Sequence, residues 1–239
     1  MNSFFKLFKG ELERMVSYRI LPVAVGTSLI WVGIFALLSS EESRRFASLL
    51  LYMDSGLMSL LLAGAFHHLE RTDGTIKTML VLPVATWTIL TAKAMAAAAL
   101  GLLSALVVSL SLLFLHGIQM DYLLLALFTF VTAVTHAGIG LVLALRSRDF
   151  SATLGWVMLL MLLSLLPVIL HLTGAIPESF SWALLVSPSG AATAALDFAT
   201  GNTSDRMRAL LGVAWMTLVA LVLYRFPVLR LFRRHACVE

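Results

Sequence analysis

Six stretches of roughly 20 predominantly apolar residues run through the chain, each about long enough to cross a ~30 Å hydrocarbon layer as a helix. They fall near Ile20 to Leu38, Phe46 to Phe66, Ile89 to Leu115, Tyr122 to Leu145, Ala152 to Leu172 and Met207 to Leu229. Their Leu, Ala, Val and Met runs lack the alternation of a barrel strand, and backbone groups facing lipid must pair within their own segment. The expectation is an all-α integral membrane protein with six transmembrane helices. Charged residues make up 13% of the chain and mean hydropathy is +0.95, against about 25% charged in soluble domains.

Six spans return both termini to one side, and the basic residues say which. All Lys and Arg except Arg44, Arg45, Arg206 and Arg208 fall on the side of the termini. The positive-inside rule makes that side cytoplasmic, so the expected location is the cell membrane, inner in a two-membrane cell. The net charge of +4 follows from this bias and does not point to nucleic acid, because the charges are spread over span ends instead of forming one basic face. A single cysteine, Cys237, excludes an internal disulfide. The N-terminus does not read as a cleaved signal peptide, since about 19 charged and amphipathic residues precede the first apolar run.

In residues 1–19, Phe4, Phe5, Phe8, Leu12, Met15 and Val16 recur at helical spacing, with Lys6, Lys9, Glu13 and Arg14 mostly on another face. This predicts an interfacial helix lying in the headgroup layer; a basic leader that only sets topology is the other reading. Spans one to five occupy 20–172. Residues 173–206, with Ser187 and Pro188 near their middle, hold an apolar piece divided by Pro188 and Gly190, too short to span. It fits an outer reentrant or interfacial segment, with an ordinary anchored loop as the alternative. Span six follows at 207–229, then a cytoplasmic tail, 230–239. The connections leave no room for a soluble catalytic domain.

The stretch "HHLERTDGTIKTMLVLPVA" (67–85) interrupts the apolar sequence with Glu70, Arg71, Asp73 and Lys77. Ile76, Met79, Leu80 and Pro83 share one helical face, Asp73, Lys77 and Thr78 another. This predicts an amphipathic helix of about three turns on the cytoplasmic surface, started by a bend at Gly74 and ended by Pro83. Such a helix is a handle by which a soluble partner could tilt two spans together. A loop whose charges only stop transfer is the plainer reading.

The string Glu70, Arg71, Thr72, Asp73, Gly74, Thr75, Ile76, followed by Leu80, Pro83 and Lys93, resembles the E-R-E-x-G-T-L pattern of ABC-2 type transporter permease subunits. Thr72 and Lys77 depart from acidic residues common there. The order of elements is similar too, and "LLVSPSGAATAALDFATG" resembles that family's outer S-P segment. The resemblance implies a half-channel that dimerises, as a homodimer or paired permease, with a cytoplasmic ATP-binding subunit docked on a coupling helix that includes Glu70, Arg71, Asp73, Gly74, Thr75, Lys77 and Pro83. It implies no cofactor in this chain: ATP and Mg would be bound by the partner, consistent with the lack of a G-x-x-x-x-G-K-[ST] string here. The short chain without a large outer domain is most similar to permeases for drug or antibiotic export; lipid, glycan or haem-related export is the alternative.

Ionisable residues within spans are functional candidates, because lipid burial is costly. Asp54 and His136 are the pathway candidates, either lining a substrate route or forming a proton-sensitive pair; a buried hydrogen bond to a neighbouring helix is the simpler reading. A membrane metalloenzyme or protease is the competing class, drawing on His67, His68 and Glu70 or on "EESRR" at 41–45. The first set has too few ligands for a metal site and the second is one residue short of the E-E-x-x-x-R signature. The chain itself is expected to catalyse nothing.

Overall fold

The computed structural model describes residues 3 to 238, with side chains described throughout that range except at Lys77, Leu80 and residues 234 to 238. Every regular element among the described residues is helical, and six helices are long and apolar enough to cross a membrane. The protein is an all-α, multi-pass membrane protein.

Helix α1 (Ser3–Ser17) turns Glu11 and Met15 inward and leaves Phe5 and Lys9 exposed. Arg19, at φ 58°, then makes the corner into α2 (Ile20–Leu37), the first span. This left-handed conformation costs a residue with a Cβ roughly 1–2 kcal/mol, so the corner is held by packing on both sides: Met15, Ile20 and Ala24 are buried together with Phe66 and Leu100.

The second span is longer than its apolar core. Ser39 accepts a hydrogen bond from the Glu42 amide while Glu42 bonds back to the Ser39 amide, a capping box that starts α3 (Ser40–Tyr52). The expected start at Phe46 is therefore corrected: Glu41, Arg44 and Arg45 lie within the helix. A π-helical turn, Met53–Leu57, joins α3 to α4 (Met58–Thr72). The combined 33 residues extend for about 50 Å at 1.5 Å per residue, so both ends project beyond a ~30 Å core. Glu70 and Arg71 thus belong to the last turn of this span.

Gly74, at φ 68°, reverses the chain into α5 (Thr75–Leu80). The expected three turns shrink to six residues, because Pro83 removes a donor and disfavours helical geometry at Leu82. Ile76 and Met79 are buried, while Val81, Leu82 and Pro83 form an exposed apolar knuckle.

The third, fourth and fifth spans are α6 (Thr86–His116), α7 (Tyr122–Arg146) and α8 (Phe150–Leu172). Spans two and four form the buried centre. Gly140 lets them meet: a Cβ there would strike the Leu60 carbonyl. Apolar side chains such as Leu29 and Ile30 on α2, Leu162 and Leu163 on α8, and Leu218 and Leu221 on the last span face outward.

Residues 173–206 fold back into the bundle. After two short 3-10 turns, the Ser187 hydroxyl caps α9 (Pro188–Ala199) by accepting from the Gly190 amide at 3.0 Å, with Pro188 in the first helical position, where its missing N–H costs nothing. Nearly all of α9 is buried. Its Ala and Gly residues permit this: a Cβ on Gly190 would strike the Leu184 carbonyl, and one on Gly212 would lie 2.8 Å from that of Ala191. Helix α10 (Arg206–Leu223) then descends to a second π-helical turn, Tyr224–Val228, around Pro227, and α11 (Leu229–Val238) follows.

Candidate functional site

Three elements converge where the second span ends and the third begins. Glu70, two residues from the end of α4, and Lys93, at the start of the third turn of α6, form an ion pair in which Lys93 Nζ lies 2.5 Å from a carboxylate oxygen. Glu11 of α1 stands 3.2 Å from the same ammonium. Arg14, one turn further along α1, reaches Glu11 at 2.6 Å and Glu70 at 3.6 Å. Both carboxylates are fully buried and Lys93 is 8% exposed. Two acids and two bases leave the cluster without net charge. That balance is what makes it tolerable, since an unpaired charge at this burial would cost several kcal/mol.

Aromatic rings close the cluster. Lys93 Nζ lies 4.9 Å from the centroid of the Phe66 ring, and the Tyr18 ring meets Phe66 edge-on at 5.7 Å. The Tyr18 hydroxyl donates to Asp73 Oδ2 at 2.6 Å. This bond to a carboxylate, with burial adding to it, raises the Tyr18 phenol above its ordinary 10.0. Glu70 and Asp73, three residues apart around the end of α4, are therefore both tied to α1 or to the turn that follows it.

This geometry corrects the reading of the 70–83 charges as one displayed handle. Glu70 faces inward and is the most buried of them. Asp73 is exposed but tethered by Tyr18, and an Arg71 guanidinium nitrogen lies 3.5 Å from the Arg148 carbonyl. Gly74 supplies the left-handed turn and Thr75 opens α5, while the Lys77 side chain lies outside the described residues. What faces outward is Thr72, Asp73, Thr78 and the Val81 to Pro83 knuckle. Glu11 and Tyr18 belong to no motif in the sequence, and periodicity alone places Arg14 among the polar-face charges of the first helix. The signal for Glu11 is its spacing: Leu7, Glu11 and Met15 recur every four residues, placing a carboxylate on an apolar stripe between half-buried Leu7 and buried Met15 and so demanding a cation.

The two pathway candidates are buried but do not bond to each other. Asp54, in the π-helical turn of span two, accepts from the Ser28 hydroxyl of span one at 2.6 Å; Ser28 in turn reaches Ser104 of span three at 3.2 Å. His136 of span four lies 2.8 Å from the Thr132 carbonyl through Nδ1 and 3.1 Å from the Tyr52 hydroxyl through Nε2. A carbonyl only accepts, so Nδ1 carries the proton and Nε2 accepts from Tyr52. The proton-sensitive pair is thus replaced by two separate interhelical networks. The second extends outward: Tyr52 and Ser189 hydroxyls are 2.7 Å apart, Ser189 and Ser164 hydroxyls 2.9 Å. It ties the first turn of α9, just beyond Ser187 and Pro188, to spans two, four and five. At the other end of α9, Ser48 donates to Asp197 and Asp121 donates its amide to the Ala199 carbonyl.

No curated protein matches the chain. Residues 2–198 match the family model for ABC-2 type transporters, a span that takes in the charge cluster, the short helix after it and nearly all of α9. The chain belongs to the ABC-2 type transporter family, as a membrane permease.

Proposed function

We propose that this permease is half of an ATP-driven exporter of drugs or other amphiphilic small molecules, dimerising to form the pathway and driven by a separate ATP-binding subunit that binds ATP and Mg. The observation that supports coupling is the buried Glu70–Lys93–Glu11–Arg14 cluster. It fastens α1, the end of span two and the start of span three into one block. A partner pressing on Thr72, Asp73, Thr78 and the Val81–Pro83 knuckle moves that whole block, because an ion cluster this buried has no low-cost way to come apart. Permeases of this family pair with an ATP-binding subunit, and the knuckle is the exposed apolar feature beside the family motif. With the terminal side cytoplasmic, as the basic residues predict, the knuckle faces the compartment that holds ATP.

Tagged chain isolated from its native membrane in mild detergent tests this reading. A P-loop ATPase co-purifying in fixed ratio, and lost with Leu82→Asp, is the expected result. A chain that comes down alone, at normal yield and with Leu82→Asp making no difference, would overturn the coupling assignment. Reconstituted with the ATPase, Glu70→Gln is expected to leave hydrolysis running while transport of an amphiphilic dye falls. Equal loss of both would place Glu70 in folding alone.

A further inference from the structure

Away from the charge cluster, four arginines line one cleft of about 580 Å³ where spans four and six end: Arg146, Arg225, Arg230 and Arg233. Arg146 is the last residue of α7; Arg225 lies in the π-helical turn around Pro227; Arg230 and Arg233 lie on α11. All four are exposed. Among the described residues, no acidic residue lines the cleft and no carboxylate stands within ion-pair distance of any of the four. The other charged clefts differ: the one at the far end of the bundle mixes Arg44, Arg45 and Arg208 with Glu41, Glu178 and Asp197.

The cleft is built by packing. Val228 and Phe232 are fully buried, with Tyr224, against Ile76 and Met79 of α5 and Leu141 and Leu145 of α7. The π-helical turn around Pro227 leads into α11, whose Arg230 and Arg233 share the cleft with Arg146. Phe226, 64% exposed, stands on the cleft rim. Four guanidinium groups with no counter-charge among the described residues repel one another, so a dianionic or monoanionic group among them is favoured, and planar guanidinium matches phosphate oxygens two at a time.

We propose that this cleft binds the headgroup of an anionic phospholipid. The depth selects a lipid over a soluble anion. The arginines sit at the ends of two spans, the level of headgroup phosphates, and the outward Phe226 and Leu221 lie where acyl chains would run. The lipid would brace α11 against α5. The site is independent of the coupling reading above, since it uses none of the cluster residues.

The test uses the full chain in uncharged detergent, titrated with short-chain phosphatidylglycerol or phosphatidylcholine and read by calorimetry. Phosphatidylglycerol should bind at least about tenfold more tightly. Arg225→Gln with Arg230→Gln should weaken it by about twenty-fivefold, at roughly fivefold per arginine. Arg44→Gln with Arg206→Gln removes the same charge from the opposite end and should change nothing. Equal loss in that control, or equal affinity for phosphatidylcholine, overturns the site. So does full displacement by an equal concentration of inorganic phosphate, which would make it a free-anion site. If phosphatidylglycerol binding survives Arg225→Gln with Arg230→Gln while a co-purified ATPase is lost, the patch serves an acidic protein surface and the lipid proposal falls. Should that double variant fail to fold, Arg146→Gln, on a separate helix, carries the test: about a fivefold loss supports the site and no loss overturns it.

Discussion

Lys93 Nζ lies 2.5 Å from Glu70, across the gap between the third span and the second, and both side chains are buried. Removing one partner of such a pair leaves an uncompensated charge, at a cost of about 3–5 kcal/mol. Glu70→Gln and Lys93→Met are each expected to lower unfolding free energy in detergent by that amount. The double variant should lose less than the sum, because Glu11 and Arg14 still neutralise each other at 2.6 Å. Additive losses in a denaturant titration would show that the two residues act separately.

Tyr18 donates to Asp73 and ionises above the ordinary 10.0 as a result, the hydrogen bond leading and burial contributing. The folded value lies above the unfolded one. The contribution of this tie is therefore whole below pH about 10 and vanishes as pH climbs through the raised value. In a spectrophotometric titration, the Tyr18→Phe difference spectrum should rise at a more alkaline midpoint than free tyrosine. Asp73→Asn should bring that midpoint back down. A Tyr18 step at the ordinary value would mean that the tether does not hold in solution.

The spans were legible because a lipid-facing helix must announce itself in composition over 20 residues, and their centres sit where hydropathy places them. Their ends were not, because the second span continues through charged turns whose stability comes from elsewhere. Ser39 and Glu42 extend it at one end through a local capping box whose S-x-x-E signature stands in the sequence. At the other end Glu70 is held by Lys93, Arg14 and a helix dozens of residues away in sequence, which periodicity cannot see. The Asp54 and His136 partners were hidden for the same reason. Helix α9 was half legible: Ser187 and Pro188 mark its start, but only the bundle shows that its small residues are there to be enclosed.

Gly140 separates a packing role from mere tolerance of glycine. A Cβ there meets the Leu60 carbonyl, backbone that cannot swing away, whereas one on Gly155 meets nothing within 4 Å. Gly140→Ala is expected to destabilise by about 1–3 kcal/mol. Gly155→Ala should be neutral or slightly stabilising, as alanine favours the helix by up to about 1 kcal/mol. The comparison is made by thermal unfolding of the two purified variants. A Gly140→Ala protein as stable as the parent would show that spans two and four can slide apart at no cost.

The Tyr52 hydroxyl joins His136 at 3.1 Å to Ser189 at 2.7 Å, and so is the bond by which the centre of the bundle holds the first turn of α9. Tyr52→Phe keeps the ring, which packs edge-on against the imidazole at 5.2 Å, and deletes only the two hydrogen bonds. Only the bond to Ser189 crosses to α9, so at about 0.5–1.5 kcal/mol for that bond, local opening of α9 becomes roughly two- to tenfold more frequent. Hydrogen exchange should report it at the α9 amides while the amides of α7 keep their protection. Ser189→Ala breaks the same link from the other side and should reproduce the pattern. Faster exchange throughout the bundle would instead make Tyr52 part of global stability. Unchanged α9 exchange in both variants would mean that apolar packing against α10, and not this hydroxyl chain, keeps the helix in place.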